Sequence, residues 1–193
     1  MFSGIFAANA EKKNAFRLYK ALVEQARTPA FYLEMGVEDS MEGRFDLILL
    51  HLYLVDAWLE RGGNAYTRLR RHMQEAMVSD MDRSFRELGV GDMSVGKEMK
   101  KVGAAWLGRR SAYATAFKEE DKEACVEAVL LKNVYRSEGI NKVKTLSKYC
   151  INATNMFSNS SLVSPKECEL DFVDTLISDA ISDASITDGT TNA

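Results

Sequence analysis

Two histidines and three cysteines carry most of the reactive chemistry in this sequence, and their spacing limits what they can do. His51 and His72 lie apart, as do Cys125, Cys150 and Cys168, so no CxxC, HxxxH or HExxH pattern exists to hold a metal ion. An odd number of cysteines behind a start with no signal-like character suits a reducing compartment, and free thiols in a cytoplasmic protein are expected. Nucleophilic catalysis needs a base beside a serine or cysteine, usually histidine. His51 sits midway along the most apolar run of the chain, where a neutral imidazole bonded to backbone or to a neighbouring side chain is the ordinary arrangement. His72 follows Arg68, Arg70 and Arg71 and reads as solvated surface. Gly89-Val90-Gly91 lacks the preceding strand and the third glycine of a dinucleotide site, and no GKS or GKT occurs. The acid pairs Asp80/Asp82 and Glu119/Glu120 do not share a helix face. No catalytic site assembles, so a protein that is not an enzyme and needs no cofactor is expected.

What remains is surface for binding. The formal charge of −3, from 25 basic and 28 acidic side chains, excludes a polycation built to coat DNA. Basic surface must be local. Lys97, Lys100 and Lys101 begin one helical run, Arg109 and Arg110 follow about three turns on, and Arg70 and Arg71 extend the same surface. Met73, Met77 and Met81 recur at helical spacing, which suits core packing first and an adaptable apolar surface second. The candidate partner-binding set is Arg70, Arg71, Met77, Lys97, Lys100, Lys101, Arg109 and Arg110. Its partner would be acidic, phosphate-bearing or a membrane headgroup.

The elements that must position these residues are helices. With prolines only at 29 and 165 and no alternating β-branched run, the chain reads as an all-α single compact bundle of about six helices. After a frayed lead-in to Ala10, a first helix reaches Arg27 with Phe16, Tyr19, Leu22, Val23 and Ala26 on one face. An irregular stretch follows from Ala30 to Glu38. Asp39 with Glu42 has capping-box spacing and should open the apolar helix that Gly62 and Gly63 close. That run, Phe45 to Leu59, is too short to span a bilayer and contains Asp46, His51 and Asp56, so a central core helix is expected. Further helices are expected over Asn64–Leu88, from Asp92 or Ser94 to Phe117, from an Asp121 cap to Tyr135, and over Ile140–Phe157. Gly103 and Gly108 inside the fourth mark a close helix approach or a local break.

Composition changes near residue 159. Residues 159–193 carry a net charge of −6 and residues 1–158 one of +3, so a mildly basic helical domain bears an acidic tail. Ser164-Pro165-Lys166-Glu167 is a second capping box, and Leu170, Val173, Leu176, Ile177 and Ala180 give an amphipathic helix at about 165–181. The tail beyond Ser182 is expected to be disordered.

Several ordered motifs then point further. The run GRFDLILLHLYLV from Gly43 to Val55 resembles the signature helix of the ubiquinol-cytochrome c chaperone family. EAMVSDMDRSFRELGVGD from Glu75 to Asp92 is similar to a second family stretch, with Phe85 where leucine is usual. Ser94-Val95-Gly96-Lys97, the Trp106-Leu107-Gly108-Arg109 step, Ala112-Tyr113 and Lys132-Asn133-Val134-Tyr135 follow in order, so the resemblance covers roughly Phe16 to Tyr135. It implies an assembly chaperone for respiratory complex III that binds newly made cytochrome b until haem insertion, with no catalytic residues. It further implies contact with the ribosome exit region, peripheral residence at the inner membrane, and a partner chaperone subunit. The rival readings are a helical ribosome or RNA adaptor and a haem-handling protein using His51, Met77 or Met81.

Overall fold

The computed structural model describes residues 2–136, 142–161, 165, 170, 172 and 175–188, with side chains throughout except at 2–8, 175 and 183–188. Among these residues there are eight α-helices, one 3-10 turn and no strand: α1 Phe2–Ala26, α2 Ala30–Leu33, α3 Met41–Glu60, the turn Gly63–Tyr66, α4 Thr67–Glu87, α5 Asp92–Ala116, α6 Lys122–Asn133, α7 Val143–Asn159 and α8 Thr175–Asp188. The count exceeds six because the stretch after Pro29 coils into the short α2 and because α8 is a helix in its own right. The expected residues Ile140, Ser164, Lys166, Glu167, Cys168 and Val173 lie outside the described residues.

α3 is the centre of the bundle because it is apolar on almost every side. α1, α4, α5 and α7 pack around it, α6 bridges α5 and α7, and α8 lies on α7. The start of α3 differs from the expected capping box. Ser40, in extended conformation, is the cap, and its hydroxyl accepts the Gly43 N–H at 3.1 Å. Asp39 instead accepts from Arg44 at 2.6 Å. Only glycine fits at position 43, since a Cβ there would stand 2.0 Å from the Glu38 carbonyl oxygen. α4 ends in a Schellman turn: Gly89 takes φ +80°, its N–H donates to Arg86 O, and Val90 N–H donates to Phe85 O.

Two other expectations change. α1 begins at Phe2 rather than after Ala10, and it buries Ala15, Leu18, Tyr19, Leu22 and Ala26 while Phe16 is 57% exposed, because the packed stripe passes one position to its side. In α5, Gly103 and Gly108 cause neither a break nor a close approach: the helix is continuous and a Cβ at either would meet nothing within 4 Å.

The helical part of the acidic segment starts later than expected. Pro165, Leu170 and Phe172 are not helical, and Phe172 places its ring edge-on to His51 and to Phe157, each at 5.6 Å. Leu176 and Ala180 are buried, and the Asn14 side-chain amide donates to the Pro165 carbonyl at 3.0 Å. Arg61 secures the end of α7, its guanidinium donating to Phe157 O at 2.7 Å and Ser158 O at 2.8 Å. These carbonyls form the negative end of a helix and lack intrahelical donors. Arg61→Ala is expected to cost about 1–2 kcal/mol, read by urea unfolding, with faster amide hydrogen exchange confined to the last turns of α7.

Candidate functional site

His51 is fully buried, and both ring nitrogens are in use: Nδ1–H donates to Leu47 O at 2.8 Å and Nε2 accepts from Tyr149 OH at 2.9 Å. The Gln25 amide in turn donates to Tyr149 OH at 3.2 Å. Burial lowers the His51 pKa to about 4, so the ring is neutral and has no spare lone pair for a haem iron. His72 is half-buried rather than solvated, paired with Glu75 at 2.8 Å.

Three of the four expected arginines, Arg70, Arg109 and Arg110, are drawn inward. Asp56 on α3 is 1% exposed and accepts four hydrogen bonds: Arg70 through Nε and Nη2, each at 2.9 Å, Arg110 Nε at 2.9 Å, and the Gln74 amide at 3.2 Å. Glu60, one turn on, accepts from Arg70 at 2.8 Å and from Arg110 at 3.1 Å. Burial alone would raise the Asp56 pKa, but these hydrogen bonds and positive charges outweigh it and hold it below the ordinary carboxylate value. Asp46, equally buried, has two donors among the described residues, Arg109 and Arg136. There burial wins and the pKa rises to about 6. Arg109 also lies over the Phe45 ring, 5.9 Å from its centroid. Arg70, Arg109 and Arg110 therefore lock α4 and α5 onto α3 instead of forming one basic face with the lysines.

Two features that involve the expected residues are open to a partner. Between α4 and α5 runs a shallow groove of about 340 Å³, with Met77, Val78, Gly103 and Trp106 as its apolar lining and Arg71, Gln74, Glu75 and Ser79 at its polar margin. Met77 is otherwise core, 1% exposed, as is Met73. Arg71 pairs with Glu75 at 3.5 Å. The second feature is the outward face of α5, where Lys97 and Lys100 are exposed and Lys101 pairs with Glu98 at 2.8 Å. Of the expected set, Arg71 and Met77 thus meet in the groove and the lysines stand elsewhere. Val78, Gly103 and Trp106 fall outside the expected set, although Gly103 three residues before Trp106 places a gap beside an indole on one helix face.

The ubiquinol-cytochrome C chaperone family model matches residues 33–162. The chain belongs to that family. Its members are chaperones for assembly of the ubiquinol-cytochrome c complex. The match begins later than the motifs suggested and continues past Tyr135 through the whole of α7, the helix that supplies Tyr149 to the His51 network. The chain is also similar to the solved structure of the Cbp3 homolog from Brucella abortus, with 28% identity and a TM-score of 0.73 over 83% of this chain and 90% of that one. No curated protein matches. Among the described residues of this chaperone-family protein, no helix is long and apolar enough to cross a membrane.

Proposed function

We propose that this protein binds newly made cytochrome b non-covalently and holds it until haem insertion and assembly into complex III, and that the client docks in the groove between α4 and α5. In this reading the client is met at the inner membrane near the ribosome exit region, and a partner chaperone subunit shares the hold. The observation that carries the docking site is the groove's apolar lining, with the exposed Val78 and the open position at Gly103 over a floor of buried Met77 and Trp106, in a family member whose Arg70, Arg109 and Arg110 are already paired with buried carboxylates. Such a lining can cover apolar side chains of a transmembrane segment that has not yet reached its final partners.

The test is complementation of a deletion strain, read by the reduced-minus-oxidised haem b spectrum and complex III activity of its membranes. The deletion is expected to lose the haem b signal and the wild-type gene to restore it. A Cβ at Gly103 meets nothing within 4 Å, so Gly103→Ala should restore the signal and stabilise α5 by up to about 1 kcal/mol. Gly103→Trp should fill the groove and lower the signal severalfold with the fold intact. A normal spectrum in the deletion strain overturns the cytochrome b assignment, and full complementation by Gly103→Trp moves the client off the groove.

A further inference from the structure

We infer that the outward face of α5 is a docking face for an anionic lipid leaflet. The inference rests on the chaperone reading only for its setting, a client that lives in a membrane. Met93, Lys97, Lys100, Ala104, Leu107 and Ser111 recur at spacings of four and three, so they form a single stripe along the helix, and all are exposed. Met93 is 100% exposed and Leu107 66%. None of the described residues crowds the margins of the stripe: a Cβ built on Gly96 or Gly108 would meet none of their atoms within 4 Å.

The charges select the partner. α5 contains two acids, Asp92 and Glu98, both off the stripe; Asp92 pairs with Arg86, which it shares with Asp82, and Glu98 pairs with Lys101. Lys97 and Lys100 make no ion pair among the described residues, in a protein whose Arg70, Arg109 and Arg110 all grip buried carboxylates. The face therefore presents two uncompensated ammonium groups between two large apolar side chains spread over roughly 21 Å of helix axis. A leaflet of acidic phospholipid satisfies both kinds of group together. Phosphates meet the ammonium ends, the lysine stems lie along the acyl boundary, and Met93 and Leu107 leave water. An RNA strand would meet the lysines and leave Met93 and Leu107 hydrated. A single convex ridge also offers a peptide no second wall, whereas a flat surface can touch its whole length.

With two lysines, each worth about fivefold in partitioning near an anionic surface, the attachment is reversible and salt-sensitive. The groove opens on the α4 side of the same helix, at Gly103 and Trp106, so a protein lying on this stripe would hold the groove beside the bilayer rather than against it.

Flotation of the purified full chain with vesicles of phosphatidylglycerol and phosphatidylcholine tests this without client or ribosome, so its failure is separate from failure of the deletion-strain experiment. Flotation is expected with the mixed vesicles, much less with pure phosphatidylcholine, and less again in high salt. Lys97→Glu/Lys100→Glu should reduce it at least tenfold, and Met93→Ser/Leu107→Ser severalfold, with unchanged circular dichroism in both. Absence of flotation on the mixed vesicles, or equal flotation of the Met93→Ser/Leu107→Ser protein, overturns the inference. Lysine-dependent RNA binding without vesicle binding overturns it in favour of a nucleic-acid partner.

Discussion

Asp56→Ala is expected to lower the unfolding free energy by roughly 3–5 kcal/mol, well beyond the cost of Arg61→Ala. The size follows from what is left behind. Asp56 accepts all four of its hydrogen bonds from groups on α4 and α5, and the side chains of Arg70 and Arg110 are 15% and 36% exposed. Removing the carboxylate strands two guanidinium groups at a half-buried site where, among the described residues, the more exposed Glu60 is the remaining carboxylate they pair with. Asp56→Asn should be nearly as harmful, because it keeps the shape but turns one acceptor into a donor aimed at arginines. Replacing Asp56, Arg70 and Arg110 together by Leu, Met and Met should recover most of the loss, since an apolar cluster of similar volume avoids desolvating three charges. Urea unfolding of the single and triple variants decides this, and the melting temperature of Asp56→Ala should fall by roughly 6–20 °C for a chain of this size. A loss below about 1 kcal/mol would mean that the cluster is solvated and loosely held. Loss of function in Arg70→Ala or Arg110→Ala then reports lower abundance, whereas Lys97 and Lys100 variants should keep normal stability.

That contrast also marks the boundary between what local sequence encodes and what only packing decides. Periodicity is enough for α4 and α5, whose Met73, Met77, Val102, Trp106 and Tyr113 are all buried, and Asp121 caps α6 through its bond to Ala124 N–H as its position suggests. These signals act within a few residues. The arginines could not be assigned in the same way: Arg70 lies 14 positions and Arg110 54 positions from Asp56, and Arg109 lies 63 from Asp46, so their partners are set by how α3, α4 and α5 cross. Three basic residues that look like a docking face become internal fasteners once two buried aspartates are placed opposite them. Ser40 takes the cap from Asp39 for a more local reason, since its own backbone is extended and its hydroxyl is within reach of Gly43 N–H. Family motifs reach further than periodicity because they carry tertiary constraints implicitly. They still do not mark the groove, which exists only where Gly103 on α5 faces Met77 and Val78 on α4.

His51→Gln should change the pH dependence of stability more than stability at neutral pH. In the folded protein His51 has a pKa of about 4, against an ordinary value of 6.5, because burial excludes the charged ring. Its contribution is therefore complete above pH 6.5 and is lost as pH falls, when the unfolded chain gains a proton that the folded one refuses. The difference is worth about 3 kcal/mol by pH 4. Asp46 acts in the opposite sense. Its folded pKa of about 6 lies above the ordinary 3.8, so burying it ionised is unfavourable above pH 6, and that penalty fades between pH 6 and 3.8. The two terms overlap, and the wild-type profile between pH 7 and 4 should be much flatter than either alone. His51→Gln keeps a donor and an acceptor near Leu47 O and Tyr149 OH but removes the histidine term, so its stability should rise relative to wild type by about 3 kcal/mol on going from pH 7 to pH 4. Asp46→Asn should do the reverse, leaving the histidine term unopposed and giving a steep loss over the same range. Urea unfolding of the three proteins at pH 7, 5.5 and 4 separates the contributions. Parallel profiles for wild type and His51→Gln would mean that water reaches the ring, and the Gln25–Tyr149–His51 chain would then have to be an open polar channel instead of a closed part of the core.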